Sequence, residues 1–85
     1  MYSYLDNRYK LWTDEGQRDF LQVRDNVAKL LHEAGAFMMC YAWGDVPGDS
    51  FELLMYVDRL VELGEIREIT GKGVAGQCRV FVGCK

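Results

Sequence analysis

The side chains best suited to covalent or metal chemistry in this sequence are one histidine and three cysteines. His32, Cys40, Cys78 and Cys84 show none of the paired spacings that are typical of metal sites, and His32 has no partner spaced for a catalytic dyad. We expect Cys40 and Cys78 to be small core residues and Cys84 to be an exposed thiol. The residue types therefore predict no catalytic group, no metal site and no cofactor.

A glycine-rich segment, GKGVAG at residues 71–76, places a lysine between two glycines, as phosphate-binding loops do. Such loops lead from a strand into a helix, and the N-terminus of that helix holds the anion. Here QCRVFV at residues 77–82 follows, and its β-branched and aromatic side chains predict a strand. We therefore interpret 71–76 as a hairpin turn and predict that the protein is not an enzyme.

Charge is distributed unevenly along the chain. The net charge is −3, and this acidic balance disfavours unspecific binding to polyanions, which depends on lysine and arginine. Residues 65–85 nevertheless hold more bases than acids. Three of these bases, Arg67, Lys72 and Arg79, form the predicted nucleic-acid contact. Any contact with a phosphate backbone would centre on this hairpin.

The length and the apolar segments limit the class of protein. Eighty-five residues suffice for one domain with one hydrophobic core. The longest apolar run, at residues 34–43, is much shorter than the roughly 20 residues that span a bilayer. The N-terminus does not resemble a secretory signal, and the cysteines show no disulfide pattern. We expect a cytoplasmic protein that contacts no membrane and binds no small-molecule substrate.

A long helix is the clearest element that the sequence predicts. Thr13 or Asp14 can cap its start, and Gly35 can supply a left-handed end. Between them, apolar residues recur at helical spacing at Phe20, Val23, Val27, Leu30, Leu31 and Ala34. Residues 13–85 are expected to form the single domain.

Residues 1–12 form an aromatic arm before this helix. Tyr2 and Tyr4 have the spacing of a strand, whereas Leu5, Tyr9 and Trp12 have that of a helical turn, so periodicity does not decide between them. We expect the arm to lie on the domain or on a second subunit.

The middle of the chain holds a second helix and an ambiguous segment. The run AFMMCYAW at 36–43 fits a buried strand or two helical turns, and the turn GDVPGD follows it. Asp49 or Ser50 then begins a helix that is expected to reach Leu63 and end at Gly64. Helical projection places four apolar residues at the centre of its buried face, namely Leu53, Val57, Leu60 and Val61.

The outward face of this second helix is predicted to be acidic and apolar. Its members are Phe51, Glu52, Met55, Asp58, Arg59 and Glu62. Apolar groups ringed by charge are typical of a protein-contact patch. One base among three acids would bind DNA poorly, because phosphates repel carboxylates. Phe51 and Met55 are expected either to contact a partner or to be covered by the arm.

The C-terminal residues predict two strands, EIREIT and QCRVFV, joined by the 71–76 turn. On the second strand, Cys78, Val80 and Val82 share one face and Arg79 and Phe81 share the other. We expect the face with Cys78 to point to the core.

The order helix, strand, glycine-bearing loop and returning strand resembles the C-terminal half of winged helix-turn-helix domains, most strongly over residues 50–83. Leu60, Gly64 and Ile66 match the superfamily pattern at the end of the recognition helix and the start of the wing. The resemblance extends over residues 17–83, with 36–43 in the place of the second helix. It implies an α+β fold with two main helices, a short third element and a C-terminal β-hairpin whose tip is the wing.

Two functions follow from these observations, and both are non-catalytic. The resemblance implies a DNA-binding or transcription-regulatory module, with Arg67, Lys72 and Arg79 on the nucleic acid. The charges of the second helix instead predict a protein-interaction or inhibitor module. Its contact residues would be Phe51, Glu52, Met55, Asp58 and Glu62. A homodimer is compatible with either function.

Overall fold

The helix α2, Asp14–Ala34, is the longest element of the computed structural model, which describes residues 2–71 and 73–84. The side chain of Thr13 accepts a hydrogen bond of 2.9 Å from the backbone N–H of Gly16 and so caps the helix. Gly35 ends it at a φ of 77°, a left-handed conformation that favours glycine. Both predicted ends of this helix are confirmed.

The N-terminal arm lies on the domain. It consists of the short helix α1, Tyr4–Asn7, and a 3-10 turn, Arg8–Trp12, and both contact the helix α4, Ser50–Glu62. Leu11 is buried in the core, and the Gln17 side chain donates a hydrogen bond to its carbonyl oxygen. Of the two placements predicted for the arm, the structure therefore has the one on its own domain.

The ambiguous segment 36–43 contains both a strand and a helix. Ala36–Met38 form strand β1, and Met39–Trp43 form the short helix α3. Phe37, Met39 and Ala42 are buried. Neither of the two sequence interpretations is right for the whole segment, because the backbone changes conformation at Met38.

The sheet has three strands rather than the two of the predicted hairpin. Strand β2, Ile66–Glu68, and strand β1 pair with opposite sides of strand β3, Val80–Gly83, and both pairings are antiparallel. Phe37 of β1 lies opposite Phe81 of β3, and their rings stack with centroids 5.4 Å apart. The described fold is therefore a small α+β domain in which four helices and this sheet share one core.

The prediction for the two faces of the last strand is wrong. Phe81 is fully buried, whereas Cys78 is exposed in a 3-10 turn, Gly76–Cys78, outside the sheet. Val80 and Val82 lie on the other face and are only half-buried. The alternation of side chains along a strand does not say which of its two faces points to the core. Here the large Phe81 ring lies in the core, where it stacks on Phe37.

The prediction that Met55 faces outward is also wrong, because Met55 is completely buried. The helix α4 contacts α2, α3, β2 and the arm, so it is enclosed on most sides. Five other residues of α4 are buried as well, namely Leu53, Leu54, Tyr56, Val57 and Leu60. A helix that is apolar around most of its circumference is typical of a core position.

Within residues 2–71 and 73–84, no helix combines the length and the apolar character that crossing a membrane requires.

Candidate functional site

The outer side of α4 is closed by two tyrosines of the arm. The Tyr2 hydroxyl donates a hydrogen bond of 2.6 Å to Asp58, and the Tyr4 hydroxyl donates one of 2.5 Å to Glu62. The Tyr2 ring also packs edge-on against Phe51, with centroids 5.7 Å apart. Three of the five predicted protein-contact residues are therefore held by the chain itself.

Arg79 joins α4 to the sheet. Its guanidinium donates to Asp58 at 2.8 Å and to both carboxylate oxygens of Glu68 at 2.8 and 3.0 Å. It also lies over the Phe81 ring, 5.1 Å from the centroid. A fork of N–H donors between two carboxylates is a strong, orienting contact. The charge of Arg79 is thus neutralised inside the domain, and its role in nucleic-acid binding stays a prediction.

The pKa shifts follow from these contacts. The hydrogen bond from Arg79 lowers the pKa of Glu68. Burial alone would lower the pKa of Arg79, but its bonds to Glu68 and Asp58 outweigh burial and raise it. Burial, together with the Asp58 contact, raises the pKa of Tyr2, and burial and the Glu62 contact raise the pKa of Tyr4 to about 12. Both hydroxyls therefore stay protonated donors at neutral pH.

Glu62 is the second point at which the arm is attached. Besides Tyr4, it contacts Arg8 of the arm at 3.1 Å and Arg59 of its own helix at 2.6 Å. The hydrogen bonds from Tyr4 and then Arg59 lower the pKa of Glu62. Two arginines thus neutralise a carboxylate that the sequence places on an open acidic face.

The five predicted protein-contact residues therefore divide into three groups. Asp58 and Glu62 are engaged by the arm, and Met55 is in the core. Phe51 remains 38% exposed beside Tyr2, and Glu52 is half-buried in the first turn of α4. Of the two alternatives for Phe51, the arm covers part of the ring. The predicted outward position is therefore wrong for Met55, and contact of the other four residues with a partner stays a prediction.

The three predicted nucleic-acid residues are not brought together as free cations. Arg67 is exposed on the edge strand β2, and no ion pair to it occurs among the described residues. Arg79 is bound to Asp58 and Glu68. Lys72 lies outside the described residues. Exposed positive charge in the described part of the hairpin is thus limited to Arg67.

The arm carries three exposed large apolar side chains that the sequence interpretation did not treat as a site. We define the arm stripe as Leu5, Tyr9 and Trp12, which are 72%, 65% and 60% exposed. Arg59 lies over the Trp12 ring, 5.1 Å from its centroid. The spacing of four and three residues was the available signal. It indicates one helical face, but not whether that face points inward or outward.

The cysteines do not form a site. All three are free thiols on the surface, so the expectation that Cys40 and Cys78 lie in the core is wrong, whereas Cys84 is exposed as predicted. Cys40 lies in the first turn of α3, whose core contacts are made by Met39 and Ala42, and Cys78 ends the exposed 3-10 turn. No cluster of three metal-binding side chains occurs in the part of the chain that the structure describes.

Comparison of the chain with models of protein families, with curated proteins and with solved structures gives no match.

Proposed function

We propose that the chain is a winged-helix-like domain that binds a protein partner through the arm stripe. The fold part of the proposal is supported by the order of the elements. A long helix, a short strand, a short helix, α4 and a hairpin follow one another as the sequence resemblance implies. One feature departs from a helix-turn-helix, because six residues, 44–49, separate α3 from α4 instead of a tight turn.

The observation that carries the function is the exposure of the arm stripe on a segment that is fixed to the domain. Exposed side chains on an ordered segment lose little additional entropy when they bind. Tryptophan and tyrosine are enriched among the residues that dominate interface energies. Burial of a large apolar side chain stabilises a complex by about 2 kcal/mol. The three members of the stripe can therefore serve as the anchors of a larger contact surface.

The arrangement of α4 counts against DNA as the main ligand. A recognition helix inserts its exposed residues into the major groove. In this chain the corresponding face of α4 lies under Tyr2 and Tyr4, and its acids Asp58 and Glu62 are bound there. A duplex would have to displace the arm and then meet two carboxylates. Nucleic-acid binding through the wing is the second candidate, and the exposed Arg67 supports it.

Affinity capture from cells that produce the protein tests the proposal. Tagged wild-type chain is compared with Tyr9→Glu, which places a charge in the stripe, and with Tyr41→Glu as the matched control. Tyr41 is equally exposed, at 65%, but belongs to α3. We expect a partner that binds the wild type and the control and is lost with Tyr9→Glu. Capture that is unchanged by Tyr9→Glu would refute the role of the stripe.

A mobility-shift assay tests the second candidate function, nucleic-acid binding through the wing. On random duplex at low salt and micromolar protein, the arm proposal expects no shift. A shift that Arg67→Ala and Lys72→Ala weaken would favour the wing as the functional surface instead.

A further inference from the structure

A polar pocket of about 480 Å³ lies between the first half of α2 and the loop that follows α3. Its polar lining comes from Asp19, Gln22 and Asn26 of α2 and from Asp45 of the loop, with Arg18 at the side. This pocket shares no lining residue with the arm stripe, and none of its residues was predicted as a site.

Asp19 is the unusual member of the pocket. It is 6% exposed and is the only buried charged residue in the described part of the chain. No described residue donates a hydrogen bond to its carboxylate, and the Arg18 Nε lies 3.6 Å from it on a side chain that is 72% exposed. Its oxygens are open to the pocket, because among the described residues only Trp43 Nε1 is a buried side-chain polar atom without a partner. A carboxylate held in a nearly buried position with its oxygens free can accept hydrogen bonds from a ligand.

The amide side chains add acceptors to the pocket, and each NH2 group also keeps one N–H that these contacts do not use. Asn26 Nδ2 donates to the carbonyl oxygen of Ala42 at 3.1 Å, which fixes its Oδ1 as an acceptor. Gln22 Nε2 donates to that Oδ1 at 3.2 Å. The Gln22 Oε1 therefore remains as an acceptor beside the Asp19 and Asp45 carboxylates. Such a lining complements a positively charged group that has several N–H donors.

The surroundings of the pocket are also negative. Burial raises the pKa of the nearby Tyr56 to about 12, and the charges of Asp19, Glu52, Glu15 and Asp49 contribute to the shift in that order. These acids come from the first two turns of α2, from the first turn of α4 and from the loop between α3 and α4. A cation is therefore attracted to this end of the molecule before it enters the pocket.

We propose that this pocket binds the guanidinium or ammonium group of an organic cation. Asp19 would pair with the charged nitrogen group, and Gln22 Oε1 and Asp45 would accept further N–H bonds. The same chemistry is offered by an arginine or lysine side chain of a protein and by a free small amine. Arg18 would compete with the ligand for Asp19, because it is the nearest cation in the described structure.

Titration followed by amide NMR shifts tests the pocket. The probes are N-acetyl-arginine amide, n-butylammonium and a short arginine-containing peptide. Sodium chloride is the control for ionic strength. We expect saturable shifts at Asp19, Gln22, Asn26 and Gly44 that the salt does not reproduce. Tighter binding of the peptide than of the small cations assigns the ligand to a protein, and equal binding assigns it to a free amine.

Three variants are expected to change the affinity for the cation in different directions. Because charge-assisted bonds are the strong ones, Asp19→Asn is expected to weaken binding about tenfold or more. Asp25→Asn removes the same charge from an exposed position of the same helix, and an exposed charge should change binding less than about twofold. Arg18→Ala should strengthen binding, since it removes the competitor. Equal effects of Asp19→Asn and Asp25→Asn, or no saturable shift with any probe, would overturn the proposal.

Thermal unfolding distinguishes a ligand-binding role of Asp19 from a purely structural one. If the carboxylate serves a ligand, Asp19→Asn raises Tm in the absence of any probe, because it removes a nearly buried charge whose ion-pair partner, Arg18, is itself mostly exposed. A lowered Tm would overturn the proposed role. Tyr9→Glu provides the comparison with the arm stripe, as it should leave cation binding unchanged even if partner capture is lost.

Discussion

Arg79→Ala distinguishes an internal ion pair from a DNA-contacting arginine. Removal of this guanidinium leaves the carboxylates of Asp58 and Glu68 without their shared cation. The side chains are 19%, 14% and 28% exposed for Arg79, Asp58 and Glu68, so the network is mostly shielded from water. We expect the variant to be clearly less stable than the wild type, whereas a wing arginine could be removed without such a loss.

The magnitude follows from the degree of burial. Loss of one partner from a fully buried pair costs roughly 3–5 kcal/mol, and loss of an exposed pair costs about 0–1 kcal/mol. The partial exposure here, and the hydrogen bonds that Tyr2 and Thr70 still donate to the two carboxylates, place the expected cost between these limits. We predict that the free energy of unfolding falls by about 2–3 kcal/mol, or a Tm lower by roughly 10–20 °C.

Urea unfolding followed by tryptophan fluorescence measures this loss. Arg67→Ala is the matched control, because exposed arginines without a partner change stability by less than about 0.5 kcal/mol. Arg79→Lys should recover only part of the loss, since an ammonium group lacks the planar fork. If Arg79→Ala and Arg67→Ala unfold at the same urea concentration, the proposed network does not contribute to stability.

The ion pair between Arg79 and Glu68 also predicts how stability depends on pH in acid. Because the folded pKa of Glu68 is lowered, the stability it contributes is present above its unfolded pKa. This stability is lost as pH falls through the lowered folded pKa. The acid side of the stability profile should therefore be steeper for the wild type than for Arg79→Ala, and parallel profiles would contradict this assignment.

Two further changes test the attachment of the arm. Tyr2→Phe should lower stability by about 1 kcal/mol and speed amide hydrogen exchange in the arm. The folded pKa values of Tyr2 and Tyr4 are raised, so the stability of the wild type should fall as pH rises above about 10. Gly16→Ala should destabilise the protein although alanine favours helices by about 1 kcal/mol, because an added Cβ would lie 2.1 Å from the Lys10 carbonyl oxygen. Unchanged exchange in Tyr2→Phe, or a more stable Gly16→Ala, would contradict the close packing of arm and domain.

The helix ends could be predicted from the sequence because caps are local. Thr13 and Asp49 each accept a backbone hydrogen bond within three residues of their own position, and Gly35 needs only its own backbone angle. These signals require no knowledge of the rest of the fold. The ends of α2 and the start of α4 are therefore confirmed.

The candidate site could not be predicted because it depends on contacts between distant segments. Helical projection assumes one buried face, but α4 contacts α2, α3, β2 and the arm, and Met55 is completely buried. Arg79 contacts Asp58, which lies 21 residues earlier in the chain. Charge counting along the sequence cannot show that such an arginine is already paired.

The central structural claim, on which the proposed role of the arm stripe rests, is that the chain's own arm closes the outer face of α4. Ring-to-ring NOEs between Tyr2 and Phe51, whose centroids lie 5.7 Å apart, test it directly in a mixture of isotope-labelled and unlabelled chains. We predict strong NOEs within one chain and none between chains, at every protein concentration. Missing NOEs, or NOEs only between chains, would contradict the claim.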